Sequence, residues 1–177
     1  MATYVNNLRL KEIATGAESG TWGTSTNTNL GLIADAFGSG TEDISGTTHT
    51  TTVPDGSADE GRAIYLKYTG ALAANNTITL APNTINKLWI IENATTDSGS
   101  SGPYSIIINQ GTTVGSGGKI TIGNGKVAAI YTDGAGTDNA AVLDAFADLV
   151  VTDSFQVAGP TLTIGDAAAE DTKLLFD

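Results

Sequence analysis

The apolar pattern along the 177-residue chain changes period twice, near Gly38 and near Leu149. Before Gly38 it is helical. Leu30, Ile33, Ala34 and Phe37 fall at i, i+3, i+4 and i+7, one face of an α-helix. Thr24, Ser25 and Thr26 offer N-caps, and Gly38 stands where a glycine ends a helix. Gly31 inside the pattern costs about 1 kcal/mol relative to alanine. A helix of about three turns is marginal alone, so this one is expected to pack on something. Tyr4 to Gly20 shows no period and is expected as an extended arm.

From Thr47 to Phe146 the pattern is that of strands divided by turns. Ala63–Tyr68 alternates, Thr77–Leu80 follows, and Leu88–Ile91 and Ser105–Ile108 are short continuous apolar runs, expected as buried strands. Lys119–Ile122 and Val127–Tyr131 flank Gly123-Asn124-Gly125. Asn-Gly between two β-runs predicts a hairpin, because its turn residues take positive φ. Ala140–Leu143 adds a last strand. Six or seven short strands in about 100 residues predict a sandwich or barrel. The expected fold is mainly β: an antiparallel, jelly-roll-like β-sandwich preceded by an extended arm and one short α-helix. The expected divisions are 1–45 (arm and helix), 46–149 (sandwich) and 150–177 (start of a shaft or linker). The chain closes on Leu174-Leu175-Phe176-Asp177, an apolar end that fits either a polypeptide that continues or a strand that docks back.

Composition removes several classes. Eight Lys+Arg against 19 Asp+Glu give a net charge of −11, the wrong sign for neutralising phosphates, so no nucleic-acid partner is expected. An apolar share of 40% is too high for a wholly disordered chain. With 22 Gly, about 27 Thr and only 15% charged residues, the chain does not read as a coiled coil. No run approaches the roughly 18 apolar residues of a membrane span, and the N-terminus lacks the basic start and apolar run of a signal peptide. The absence of cysteine rules out disulfides and thiolate chemistry.

Few residues offer chemistry. Gly118-Lys119 and Gly125-Lys126 precede Ile120 and Val127 rather than the Ser or Thr of a phosphate loop, and read as turns. His49, the one histidine, lies in a Thr-rich β-like stretch and reads as a solvated strand residue; no Gly-x-Ser-x-Gly elbow accompanies it. One His and no Cys make zinc a poor fit. Asp133, Asp138, Asp144 and Asp148 offer hard oxygens but not the spacing of a calcium loop. No catalytic residue, metal or cofactor is therefore expected. Asn75-Asn76-Thr77 and Asn93-Ala94-Thr95 match a glycosylation pattern that so Asn- and Thr-rich a chain produces by chance.

The most informative segment is Gly20–Ile33. Trp22-Gly23 followed by Asn27-Thr28-Asn29-Leu30 and a short amphipathic helix near the N-terminus resembles tail-fibre proteins of tailed bacteriophages. Leu8–Gly16 running into Trp22 is similar to fibre-type structural proteins of marine phages. Gly61–Gly70, Lys87–Asn93 and Thr163–Asp177 resemble the same group, the last as the opening of a repetitive fibre body. The resemblance implies a virion protein, homotrimeric, whose N-terminal region attaches to the particle and whose distal part meets the host. Its partners would be other phage structural proteins, a tail adaptor or nozzle or alternatively the capsid. Trp22, Asn27, Asn29, Leu30, Ile33 and Phe37 are the expected docking residues, since an aromatic beside a helix that cannot stand alone has the form of a docking element. Alternatives are a capsid-bound head fibre or decoration protein, a polysaccharide-degrading tailspike, and a carbohydrate-binding module stacking sugars on Tyr65, Tyr68, Trp89, Tyr104 and Tyr131.

Overall fold

A computed structural model describes residues 3–99, 101–111, 118–137 and 139–147. The expected segment 150–177 lies outside them, as do Asp138 and Asp148. The protein is mainly β with one α-helix. Its strands are β1 (Thr3–Val5), β2 (Leu10–Glu12), β3 (Ser39–Asp43), β4 (Thr48–Thr52), β5 (Tyr65–Thr69), β6 (Ala71–Leu72), β7 (Asn76–Ala81), β8 (Asn86–Asn93), β9 (Thr96–Asp97), β10 (Ile106–Asn109), β11 (Ile120–Ile122), β12 (Val127–Asp133) and β13 (Val142–Asp144). The helix, α1, runs Trp22–Ala36, and Glu60–Arg62 forms a 3-10 turn.

Two sheets share one apolar core. One has the order β11-β10-β7-β4, the other β13-β12-β8-β5-β3. Every strand read from the sequence between Ala63 and Leu143 is present. The pairing, however, is mixed rather than antiparallel. β3, β5 and β8 run parallel, as do β4, β7 and β10, while within these two sheets the described antiparallel pairs are β12 with its neighbours β8 and β13, and β10 with β11. The reason lies in the path of the chain. It alternates between sheets, so β3–β4, β5–β6–β7 and β8–β9–β10 form three stacked coils, with Ser39 above Tyr65 above Ile90. Strand periodicity says which side chains face inward, and is silent on pairing direction.

The Asn-Gly turn shows the same effect. Gly125 takes φ of 68°, but Asn124 does not take the positive φ expected of both turn residues. β11 and β12 belong to different sheets, so the turn is a crossing and not a hairpin. Asn93 clamps it: its backbone accepts from Gly125 N at 2.8 Å and donates to Lys126 O at 2.9 Å. Asn124 Nδ2 also donates to Thr95 O at 2.5 Å.

Inward side chains stack in columns. Leu66 and Ile91 lie in one, Ile78 and Ile108 in another, and Trp89, Ile106, Ile122 and Ile130 are among the other core residues. The first coil is different. Its inward positions are Gly40, Glu42, His49 and Thr51. Glu42 Oε2 lies 2.5 Å from His49 Nε2 and accepts from Thr51 Oγ1 at 2.8 Å, and Thr51 in turn meets the buried Tyr68 hydroxyl at 2.7 Å. His49 is thus tied into a polar layer and is not the solvated strand residue expected. Burial pushes the Tyr68 hydroxyl well above the usual range for a phenol.

The N-terminal segment is not an extended arm. β1 and β2 form an antiparallel hairpin, with Asn6 and Arg9 at positive φ in the connection. Residues 1–147 make one compact unit, so no division falls at residue 45. The tie is Arg62, fully buried, whose guanidinium donates to Leu8 O and, at 2.7 Å each, to Pro54 O and Ser57 O. Arg9 Nε reaches Asp55 Oδ1 at 2.6 Å, Gly56 N donates to Arg9 O at 2.9 Å, and Asn86 N donates to Asn7 Oδ1 at 3.0 Å. Tyr4 lies against Gly56 so closely that a Cβ there would strike its ring.

Candidate functional site

α1 begins two residues before the expected caps, at Trp22, with Thr21 as N-cap and no side-chain cap bond. It ends at Ala36, where Gly38 predicts a stop. Its fastened face is not the one that the apolar spacing picks out. Leu32 and Ala36 are buried, and two polar residues on the same side do the holding. Asn29 accepts from Lys11 N at 3.0 Å and donates to Lys11 O at 2.8 Å, satisfying both backbone groups of one β2 residue. Ser25 Oγ donates to Glu18 Oε2 at 2.5 Å and accepts from Lys11 Nζ at 3.1 Å. Lys11 also pairs with Glu18, and holds that carboxyl below its ordinary range.

The expected docking residues therefore separate. Asn29 is a structural clamp and is unavailable to a partner. Trp22 is 62% exposed, Leu30 58% and Phe37 77%; Asn27 is exposed and Ile33 half-buried. At about 100° per residue, Trp22, Ile33, Leu30 and Phe37 fall within an arc of roughly 80°, along about 20 Å of helix. They form an apolar stripe beside the fastened face. Near Phe37 the stripe meets a groove of about 190 Å³ lined by Leu8, Ala36, Phe37, Ile64, Lys87 and Leu88. This groove was not legible in the sequence, because it joins residues from the hairpin connection, the end of the helix, the residue before β5 and strand β8.

Lys87 is the groove's unusual member. Its ammonium lies 4.3 Å from the Trp89 ring centre and donates to Ala63 O at 2.9 Å. Burial, and then the charge of Arg62, lowers its pKa to about 7. Between that value and the ordinary lysine range the unfolded chain holds a proton that the folded chain has lost. Stability attributable to Lys87 should therefore rise with pH from about 7 upward, and be lowest where both states are protonated. From pH 7 to 9 the expected gain is on the order of 2 kcal/mol. Urea unfolding across that range, compared with Lys87→Met, should show a steeper rise in the parent chain; equal slopes would refute it.

Two of the four candidate aspartates lie among the described residues, and both are engaged by the backbone. Asp133 Oδ1 accepts from Ala135 N and Ala141 N, and Asp144 Oδ1 accepts from Phe146 N. Among the described residues no three His, Asp or Glu side chains are placed to hold a metal ion. Asn93 is buried and bonded to Tyr104 O and Ile122 O, which closes it to modification in the folded chain. Of the five aromatics read as possible sugar stackers, Tyr131 is exposed on the outer sheet face. Tyr68 and Trp89 are core residues, Tyr104 packs against the core, and the Tyr65 hydroxyl is held by Glu92 at 2.5 Å. Among the described residues no helix is long and apolar enough to cross a membrane. No family model matches the chain, and no curated protein or solved structure matches it.

Proposed function

We propose that this chain is a virion structural protein, the particle-proximal part of a phage fibre, whose helix α1 docks on a tail adaptor or nozzle while the β-domain carries a distal host-recognition part. The observation that supports it most is the helix itself. Its polar side is fastened to β2, and a neighbouring side offers Trp22, Leu30 and Phe37 to solvent. A folded monomer gains nothing by holding a tryptophan and a phenylalanine outward along one line. An exposed apolar patch of this kind marks an interaction surface, and aromatic anchors carry most of the energy of such contacts. The acidic charge fits a protein partner rather than nucleic acid. The reading includes homotrimeric assembly and assigns no catalysis and no cofactor. A capsid-bound fibre or decoration protein would use the same stripe against a different surface.

The test is Trp22→Ala, followed in two assays. Because the side chain is largely exposed, unfolding free energy should change by less than about 0.5 kcal/mol. Incorporation into particles, or affinity for the isolated docking protein, should fall by about 30-fold or more, the loss of one anchor residue. Early melting of the variant with undiminished incorporation would make Trp22 a folding residue and remove the docking role.

A further inference from the structure

Asparagine or aspartate followed by glycine is among the most labile pairs in a polypeptide. The glycine nitrogen has no side chain beside it to keep it from the amide or carboxyl carbon one residue back. The chain has three such pairs, Asp55-Gly56, Asn124-Gly125 and Asp133-Gly134. The glycines take φ of 61°, 68° and 63°, which other residues rarely adopt, so the backbone path itself retains the labile pairs. In each pair both reacting groups are held. Gly56 N donates to Arg9 O at 2.9 Å, while Arg9 Nε donates to Asp55 Oδ1 at 2.6 Å. Gly134 N donates to Gln110 Oε1 at 3.2 Å, while Asp133 Oδ1 accepts from Ala135 N and Ala141 N. Gly125 N donates to Asn93 O at 2.8 Å, while Asn124 Nδ2 donates to Thr95 O at 2.5 Å.

Asn124-Gly125 differs from the other two in chemistry and in place. Its electrophile is an amide, which reacts at neutral and alkaline pH, whereas a carboxylate must first take up a proton. Gly125 is exposed, so hydrogen bonding and not burial protects its nitrogen. We propose that Asn124 is a self-modification site, blocked while the crossing between β11 and β12 is closed and spent once that crossing opens. In the open turn, base removes the Gly125 N–H proton and the nitrogen attacks Asn124 Cγ. The N–Cγ bond forms, the Cγ–Nδ2 bond breaks, and Nδ2 leaves as ammonia, taking up a proton to replace the one lost. Water then opens the five-membered imide at either carbonyl, giving aspartate or isoaspartate. Isoaspartate adds a methylene to the backbone within the turn. Gly125 N and Lys126 N then no longer both reach Asn93 O and Gly123 O, which they meet at 2.8 Å and 3.1 Å in the closed turn. The conversion therefore runs one way and records each chain whose crossing has opened. The site is independent of the fibre reading.

Incubation of the full 177-residue chain at mildly alkaline pH, folded and in urea, tests this by peptide mass and isoaspartate content. In urea Asn124 should convert first, ahead of Asp55 and Asp133. In the folded chain its conversion should be slower by about a hundredfold or more, because the rate follows the population of the open turn. Amide exchange at Gly125 reports that population independently, since it needs the same N–H freed. Thr95→Val removes the hydroxyl that donates to Asn93 Oδ1 at 2.7 Å and lies 3.5 Å from Asn124 Nδ2. It should raise conversion and Gly125 exchange together, by about tenfold, with the circular dichroism of the folded chain retained. Should that variant not fold, urea below the unfolding transition should raise both in the parent by one common factor. Asn124 that converts as fast in the folded chain as in urea overturns the proposal. Conversion that changes while Gly125 exchange does not, or a different first site in urea, overturns it equally.

Discussion

Arg62→Ala is expected to lower the unfolding free energy by about 3–5 kcal/mol and to free the N-terminal hairpin from the β-domain. The guanidinium is fully buried and serves three carbonyl oxygens, of Leu8, Pro54 and Ser57, that come from separate stretches of chain. Alanine leaves these acceptors without their donor in a space cut to fit a planar fork. Each buried unsatisfied group costs about 1–3 kcal/mol. Arg62→Lys should restore little, because a point ammonium cannot span three directions. Trypsin gives a second readout. Arg9 and Lys11 are protected by the contacts that tie β1 and β2 to the body, so cleavage there should accelerate in Arg62→Ala. Unchanged stability and unchanged cleavage together would show that the hairpin is held by other means.

Trp89→Ala is expected to cost about 3–5 kcal/mol, the range for emptying a large aromatic site in a core. Its melting temperature should drop by roughly 10–20 °C for a domain of this size. Trp89 is buried between the sheets, its indole N–H donates to Gly61 O at 3.3 Å, and its ring supports the Lys87 ammonium. The substitution therefore leaves a cavity, an unpaired carbonyl and a desolvated cation without its aromatic neighbour. Trp89→Phe keeps most of the volume and should cost about 1–2 kcal/mol. Fluorescence distinguishes the two tryptophans, since Trp22 is exposed and Trp89 buried. In Trp89→Phe the remaining emission should be that of a solvated indole. Blue-shifted emission from that variant would contradict the placement of Trp22.

The strands were legible in the sequence because alternation and short apolar runs report side-chain direction, which burial enforces. Tyr65–Thr69, Asn76–Ala81 and Val127–Asp133 are each found within one or two residues of their expected place. The coil repeat was not legible. Equivalent positions carry Gly40, Leu66 and Ile91 in one column and Glu42, Tyr68 and Asn93 in another, so stacking leaves no common residue to detect. The helix was found, but its inner face was misplaced, since the residues that fasten it are Ser25 and Asn29 and an apolar count cannot see them. The exposed set Trp22, Leu30 and Phe37 was legible as a group for the same reason that its direction was not: apolar periodicity marks a face without saying what covers it.

The polar first coil has a consequence for how the fold can change length. A further coil laid under β3 and β4 would seal Glu42 and His49 inside, and Glu42 Oε1 already has no hydrogen-bond partner. Growth from that edge would bury a carboxylate in exchange for strand hydrogen bonds, which is unfavourable. A coil inserted between Tyr65 and Asn109 would instead continue the columns of Leu66 with Ile91 and of Ile78 with Ile108, whose stacking faces are apolar.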